Sequence, residues 1–334
     1  MEGSPRGVTD PLVRQIEQAF QPGVFVHDQM CFSFVRGLEE AAAEIGRLVA
    51  ADPVRAAALL ETFLAGCHEK AEELDDSSGT FGQFVQELIC GWVQAMQASD
   101  GDADETTSRL LAWMVDDPYG FCCRIEEAVA GAFDRAGMAA FQQQVRARFE
   151  AAVAAEPAEG EPSGERPEYL RRRWGDVLRA IYLKQKNVTA YIALTEQIGL
   201  SAQDCRAVAT LLATDGKPED ALAWAERGLE IAQTTPRWAG AEHDLTKLQR
   251  DLWVRLGRGD EALAAAWASF QKHPGEHTYE DLMKFVPEAD RSVWHEKAMD
   301  AAKKADLGCV IDLFVGTNET IASRNWSAAP QTRL

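Results

Sequence analysis

Long apolar runs and known catalytic motifs are missing from this sequence of 334 residues. No segment approaches the 18 or more consecutive apolar residues that indicate a membrane-spanning helix. The glycine-rich phosphate loops, the HExxH zinc motif and the GxSxG nucleophile motif do not occur. We therefore predict that the protein is not an enzyme, and we assign it no catalytic residue, no metal ligand and no cofactor.

Cysteines are few and irregularly placed. The seven cysteines are Cys31, Cys67, Cys90, Cys122, Cys123, Cys205 and Cys309. An odd number scattered through helical patterns does not indicate a disulfide framework, and reduced thiols are typical of cytosolic proteins. Residues 1–10 contain no apolar core of signal-peptide length. These features predict a cytoplasmic protein.

Positive charge is scarce in the first half of the chain. Residues 1–153 hold 11 basic and 25 acidic residues, whereas residues 169–334 hold 22 and 23, within a net charge of −19. A negative surface repels phosphate backbones, so we expect no direct binding to nucleic acid. The acidity either favours solubility or attracts a basic partner.

Helical periodicity is what the sequence does contain, together with one clear break. Residues 154–168 combine proline, glycine and five glutamates, a composition typical of an extended linker. We predict an acidic N-terminal helical domain (1–153), this linker (154–168), a region of helical repeats (169–326) and a C-terminal tail (327–334). Seven apolar stripes at helical spacing precede the linker. They span residues 12–20, 34–49, 56–64, 81–92, 110–114, 125–133 and 141–149. Asp10-Pro11 and Asp52-Pro53 are typical helix starts.

A self-similar pattern follows the linker. Residues 211–222 align with residues 252–263 at an offset of 41 residues. Each copy contains an apolar helix, a glycine turn, an acidic pair and an alanine-rich helix. A weaker copy places Asn187 opposite Pro218, an offset of 31 residues. A further helix pair is predicted from Arg291 through Phe314. Such hairpins leave an apolar face exposed unless neighbours stack on them.

The turn from Gly257 to Ala262, and the spacing from Ala262 to Pro274, resemble tetratricopeptide repeats. A second resemblance covers residues from about Ala56 to Trp326. It rests on three parts of the sequence: Asp75–Gly79, Asp116–Phe121, and the segment from Trp174 to Leu222. These residues resemble an uncharacterised bacterial helical family that also occurs behind SWIM-type zinc fingers. The Cys-x-Cys and Cys-x-His pairs of the finger itself are not in this sequence. The resemblance implies an all-α fold of hairpins stacked as a short tetratricopeptide-like α-solenoid, and no established activity.

Cysteine and histidine residues provide one metal-site hypothesis. Zinc needs thiolates and imidazoles that converge tetrahedrally, and sequence spacing does not show such convergence here. Buried cysteine is also a common core residue. The candidates are His27, Cys31, Cys67, His68, Cys122 and Cys123.

Two acidic segments are candidate turns. Asp75–Gly79 lacks the spacing of a calcium loop and is interpreted as a cap for a helix that begins near Thr80. Asp116–Gly120 is interpreted as a turn. Both could instead line one surface that binds a basic partner.

Aromatic residues of the second half belong either to the core or to a peptide-binding surface. They are Trp174, Tyr182, Tyr191, Trp224, Trp253, Trp267 and Trp294. We predict a non-enzymatic scaffold or adaptor that binds a protein or peptide. The alternatives are an acidic regulatory or inhibitory subunit that masks a basic, nucleic-acid-handling partner, and a metalloprotein with a structural zinc.

Overall fold

Helices account for almost all of the regular structure in a computed structural model that describes residues 10–156, 167–234 and 239–303. These residues form fifteen α-helices and no β-strand; an isolated bridge joins Val26 to Leu74. Neighbouring helices pack against each other. The predicted all-α fold of stacked helical hairpins is therefore confirmed.

The chain divides into two units, Met1–Ile198 and Gly199–Leu334. In the first unit the helices are α1 (Pro11–Ala19), α2 (Asp28–Leu48), α3 (Pro53–Ala71), α4 (Thr80–Ala98), α5 (Ala103–Val115), α6 (Ile125–Ala132), α7 (Arg135–Ala154), α8 (Pro167–Lys184) and α9 (Val188–Ile198). In the second unit they are α10 (Ala202–Thr214), α11 (Pro218–Thr234), α12 (Ala239–Arg255), α13 (Gly259–Lys272), α14 (Glu276–Phe285) and α15 (Arg291–Ala302), with a 3-10 turn at Glu288–Asp290.

The first seven helices coincide with the seven predicted apolar stripes. Both predicted proline starts are also confirmed. The Asp10 carboxylate accepts a hydrogen bond from the Leu12 amide at 3.0 Å, and the Asp52 carboxylate accepts one from the Arg55 amide at 3.2 Å. These bonds satisfy amides that the first turn of a helix leaves without a partner.

The division into units lies later in the chain than the predicted domain boundary at residues 154–168. Helix α8 follows that segment yet packs on α6 and α7, and it buries Trp174, Leu178 and Tyr182 in the first unit. Gln185 donates a hydrogen bond to Gln142 of α7 at 2.7 Å. Burial of this apolar face joins α8 to the helices before the segment. Residues 157–166 of the predicted linker, the predicted tail 327–334 and the part of the last predicted helix pair beyond Lys303 lie outside the described residues.

The predicted repeat at an offset of 41 residues is visible in the hairpin turns of the second unit. Gly216 and Gly257 both have a φ of +75°. The backbone amide of Lys217 donates to the Leu212 carbonyl at 3.0 Å, and the backbone amide of Arg258 donates to the Trp253 carbonyl at 2.7 Å. This bond pattern with a left-handed residue is the Schellman motif, which satisfies carbonyls at a helix end.

The weaker copy is shifted by one residue from its predicted alignment. Lys186 has a φ of +53°, and the Asn187 amide donates to the Tyr182 carbonyl at 2.9 Å. Lys186 therefore corresponds to Gly216, and the offset is 30 residues instead of the predicted 31. The alignment was wrong because it matched side-chain character, whereas the left-handed residue defines the register of the turn.

Candidate functional site

An open cleft of about 800 Å³ lies in the first unit, where α3 ends and α4 and α6 begin. Its lining includes Leu74, Phe81, Gln86, Tyr119, Phe121 and Arg124. The two acidic segments of the sequence meet here, since Asp76 and Gly79 of one and Tyr119 and Gly120 of the other contribute to the lining.

The two acidic segments have similar hydrogen bonds, shifted by one residue relative to the aspartate. The Asp76 carboxylate accepts hydrogen bonds from the amides of Phe81 at 2.9 Å and Gly82 at 2.7 Å. The Asp117 carboxylate accepts hydrogen bonds from the amides of Phe121 at 2.9 Å and Cys122 at 2.7 Å. In each segment the second aspartate therefore binds two consecutive amides, which confirms the interpretation of these residues as a helix cap and a turn.

The floor of the cleft is aromatic. The rings of Phe81 and Phe121 meet edge to face with centroids 5.7 Å apart, and the Tyr119 ring lies 5.6 Å from that of Phe121. His68 of α3 also contacts Phe121, with centroids 5.3 Å apart. Edge-to-face pairs of this kind are favourable beyond the apolar area that they bury. The floor therefore joins α3, α4 and the turn before α6.

Gln86 fixes the turn before α6 to α4. Its side-chain amide donates to the carbonyls of Phe121 at 3.1 Å and Cys123 at 2.9 Å. Arg124 is the left-handed N-cap residue of α6, and its guanidinium forms an ion pair with Glu127. These bonds fix the cleft wall through contacts within the chain.

The chain segments that form the cleft are acidic, and the lining itself holds two carboxylates, those of Asp76 and Glu127, beside the guanidinium of Arg124. Segments 70–79 and 116–127 together contain eight acidic and two basic residues. The phenol of Tyr119 donates a hydrogen bond to Glu72 at 3.2 Å, and burial, followed by the charge of Glu72, raises the pKa of Tyr119. Burial also raises the pKa of Glu126. The rim is suited to a cationic ligand group more than to an anion.

A buried lysine lies near the end of α3. Lys70 is 3% exposed, and its ammonium donates to the carbonyls of Gln21 and Val24 and to the Glu73 carboxylate. The lysine thereby ties residues 21–24 to the end of α3. Lys70 was not among the residues predicted from the sequence, although Phe63, Cys67 and Lys70 share one face of α3 at helical spacing.

The predicted metal candidates are not arranged as a metal centre. Among the described residues, no group of three or more Cys, His, Asp or Glu side chains is placed to hold a metal ion. Cys31 donates from its thiol to Asp76 at 3.4 Å, whereas His68 packs against Phe121. Burial raises the pKa of Cys31 to about 11 and that of Cys122 to about 12, so both thiols remain protonated at neutral pH.

The remaining candidates have surroundings of other kinds. His27 contacts the Phe25 ring, with centroids 5.0 Å apart. Cys67 is fully buried in α3, and burial raises the pKa of its thiol. Cys123 is exposed at the cleft. Cys309 lies outside the described residues.

The aromatic residues of the second half fall into two groups. Trp174, Tyr182 and Tyr191 are at most 3% exposed and belong to the core of the first unit. Half-buried positions are occupied by Trp224, Trp253, Trp267 and Trp294 in the second unit. The core interpretation is confirmed for the first group, and the second group retains surface for contacts.

These features define an all-α protein of stacked helical hairpins with an acidic, aromatic-floored cleft in its first unit. The sequence matches the family of unknown function DUF6880 over residues 4–310, and the chain belongs to that family. A comparison with curated proteins found no similar sequence. Across the described residues, no helix combines the length and the apolar character needed to cross a membrane.

Proposed function

We propose that the protein is a non-enzymatic scaffold whose cleft in the first unit binds a basic segment of a partner protein. The observation that carries the proposal is the meeting of the two acidic turns at one cleft. Ligand sites typically combine an apolar lining with a few oriented polar groups. Here the exposed ring of Tyr119, which lies on the buried rings of the floor, would contact the apolar part of a partner side chain, and the Glu127 carboxylate would contact its charge.

The chemistry of the rim favours arginine or lysine in the partner. A cation over an aromatic face is attracted by the ring quadrupole, and the surrounding carboxylates add Coulomb attraction. Because Asp76 and Asp117 already accept two amides each, they shape the cleft. Ligand contact is assigned instead to Tyr119 and Glu127, both of which line the cleft and are exposed to solvent.

A quantitative pull-down with matched variants tests this function. Tyr119→Ala and Glu127→Lys should remove a stoichiometric partner from the captured fraction. Tyr169→Ala is the control, because Tyr169 of the same unit is 46% exposed, like Tyr119 at 41%, but does not line the cleft. Retention of the same partner by both cleft variants, or the lack of any stoichiometric partner, would refute the proposal.

A regulatory role is the second candidate, and the uneven charge of the chain favours it. The first 153 residues carry 14 more acidic than basic residues, against an excess of one in residues 169–334. Such a surface could mask the basic face of a partner that handles nucleic acid. Binding through long-range charge weakens steeply with salt. Salt-insensitive binding of the partner would exclude this role and leave the scaffold role intact.

We also propose that the hairpins α10–α11 and α12–α13 are tetratricopeptide-like units. Their equivalent Schellman turns and the fully buried Ala221 and Ala262 support this. A relation of the family to the helical region behind SWIM-type zinc fingers, and a cytoplasmic, bacterial setting, remain proposals from the sequence. The free cysteines of the described residues agree with a reducing compartment.

A further inference from the structure

Two tryptophans of the second unit converge on one ammonium group. The ring of Trp267 in α13 and the ring of Trp294 in α15 meet edge to face, with centroids 5.5 Å apart and an interplanar angle of 76°. The ammonium of Lys297 lies 3.9 Å from the Trp294 centroid and 4.4 Å from the Trp267 centroid. Both distances are within the range of cation–π attraction.

The two rings are held in place by the core beneath them. Trp267 stacks on Phe270, with centroids 5.8 Å apart and an angle of 24°, and Phe270 is fully buried. Tyr279 packs its edge on Phe270, and its hydroxyl lies 2.6 Å from Nδ1 of His295. Rings fixed by such packing present their faces without an ordering cost when a ligand arrives.

Only weak contacts hold the Lys297 ammonium between the Trp267 and Trp294 rings. It is exposed, and among the residues that the structure describes it forms no ion pair with a carboxylate. A lysine ammonium is strongly hydrated and sits on a flexible stem. It is therefore a displaceable occupant, held by two indole faces alone.

We propose that Trp267 and Trp294 form a cage that binds a quaternary ammonium group, with Lys297 as its resident competitor. A quaternary ammonium donates no hydrogen bond, so it loses little when it leaves water for ring faces that offer no acceptor. Aromatic cages of this kind recognise choline and methylated lysine. The cage is separate from the cleft of the first unit and does not depend on its function.

NMR of the indole N–H signals of the full chain tests the cage. Trp267→Phe and Trp294→Phe assign the two signals, and tetramethylammonium chloride should shift both. Lys297→Ala, a change at an exposed position, should tighten this binding by roughly two- to fivefold, the factor that an exposed cation–π contact supports. Trp224→Phe is the control for these substitutions, because Trp224 is not part of the cage; its ring lies 5.0 Å from the guanidinium of Arg227.

Neutral and peptide probes separate the outcomes. Equal shifts with tert-butanol, or no shift of either assigned signal in Lys297→Ala, would overturn the cage. A peptide with trimethyllysine that binds more tightly than tetramethylammonium supports the cage and assigns it to a modified protein. Equal binding of the two supports the cage and assigns it to a small free ammonium compound. The same peptide with unmodified lysine should bind more weakly than its trimethylated form, and equal or tighter binding would also overturn the proposal.

Discussion

The left-handed positions of the hairpin turns allow a test in both directions. Replacing a glycine there should strain the backbone, and introducing a glycine should relieve the same strain. Gly216 has a φ of +75°, and a Cβ added there would meet no atom within 4 Å. The cost of Gly216→Ala is therefore purely conformational. A left-handed L-residue costs about 1–2 kcal/mol, offset by about 0.4–1 kcal/mol from the lower entropy of the unfolded chain. We expect a net loss of about 1 kcal/mol.

Lys186 should show the opposite effect. It occupies the equivalent left-handed position with a φ of +53°, and its side chain is exposed. Lys186→Gly removes the conformational strain without removing a buried contact, so we expect a gain of about 0.5–1 kcal/mol.

Thermal unfolding measures both changes, since about 1 kcal/mol shifts the Tm by about 2–4 °C for units of 150–250 residues. A stabilising Gly216→Ala or a destabilising Lys186→Gly would refute the equivalence of the turns. Gly257→Ala should repeat the loss seen for Gly216→Ala, because Gly257 also has a φ of +75° and open space around it.

Three further predictions concern buried groups. Lys70→Met should cost about 2–4 kcal/mol in urea unfolding, because it leaves the carbonyls of Gln21 and Val24 without this donor and the Glu73 carboxylate without its cation. A neutral result would show that water replaces the ammonium. Gly228→Ala should lower the free energy of unfolding by about 1 kcal/mol, because the added Cβ would lie 2.8 Å from atoms of α10 and α12. Gly240→Ala places its Cβ in open space and should stabilise the protein. Equal effects of the two substitutions would contradict the close packing at Gly228. Glu126→Gln should stabilise at pH 7 and have no effect below the usual glutamate pKa. Burial raises the pKa of Glu126 in the folded state above its value in the unfolded chain, so the folded state loses stability as the pH rises from the unfolded to the folded pKa. A stabilisation by Glu126→Gln at low pH alone would contradict this direction.

The ligands that we propose for the cleft and for the aromatic cage differ in their chemistry. The cleft combines an aromatic floor with an acidic rim, which suits an arginine or lysine that keeps its hydration on one side. The cage offers two indole faces and suits a methylated ammonium. Each unit can therefore be tested with its own probe and its own substitutions.

Helices and their ends were readable from the sequence because their causes are local. Apolar residues at helical spacing define the buried face, and Asp10, Asp52 and Gly216 act on amides or carbonyls within one turn of themselves. The shared Asp-Asp-x-x-Gly pattern of the two acidic turns was also visible in the sequence. The similar role of the second aspartate was not, because it depends on two consecutive amides that each carboxylate accepts only in the folded chain.

Only the tertiary structure decided which distant residues meet. The two acidic turns are about 40 residues apart in the chain, and packing of α3, α4 and α6 brings them to one cleft. The burial of Lys70 and the cage of Trp267 and Trp294 likewise depend on neighbouring helices. Helical periodicity determines the face that a helix buries, whereas its partners are determined by how all the faces fit together. The sequence alone therefore predicted the helices, and only the folded chain brings the residues of the proposed sites together.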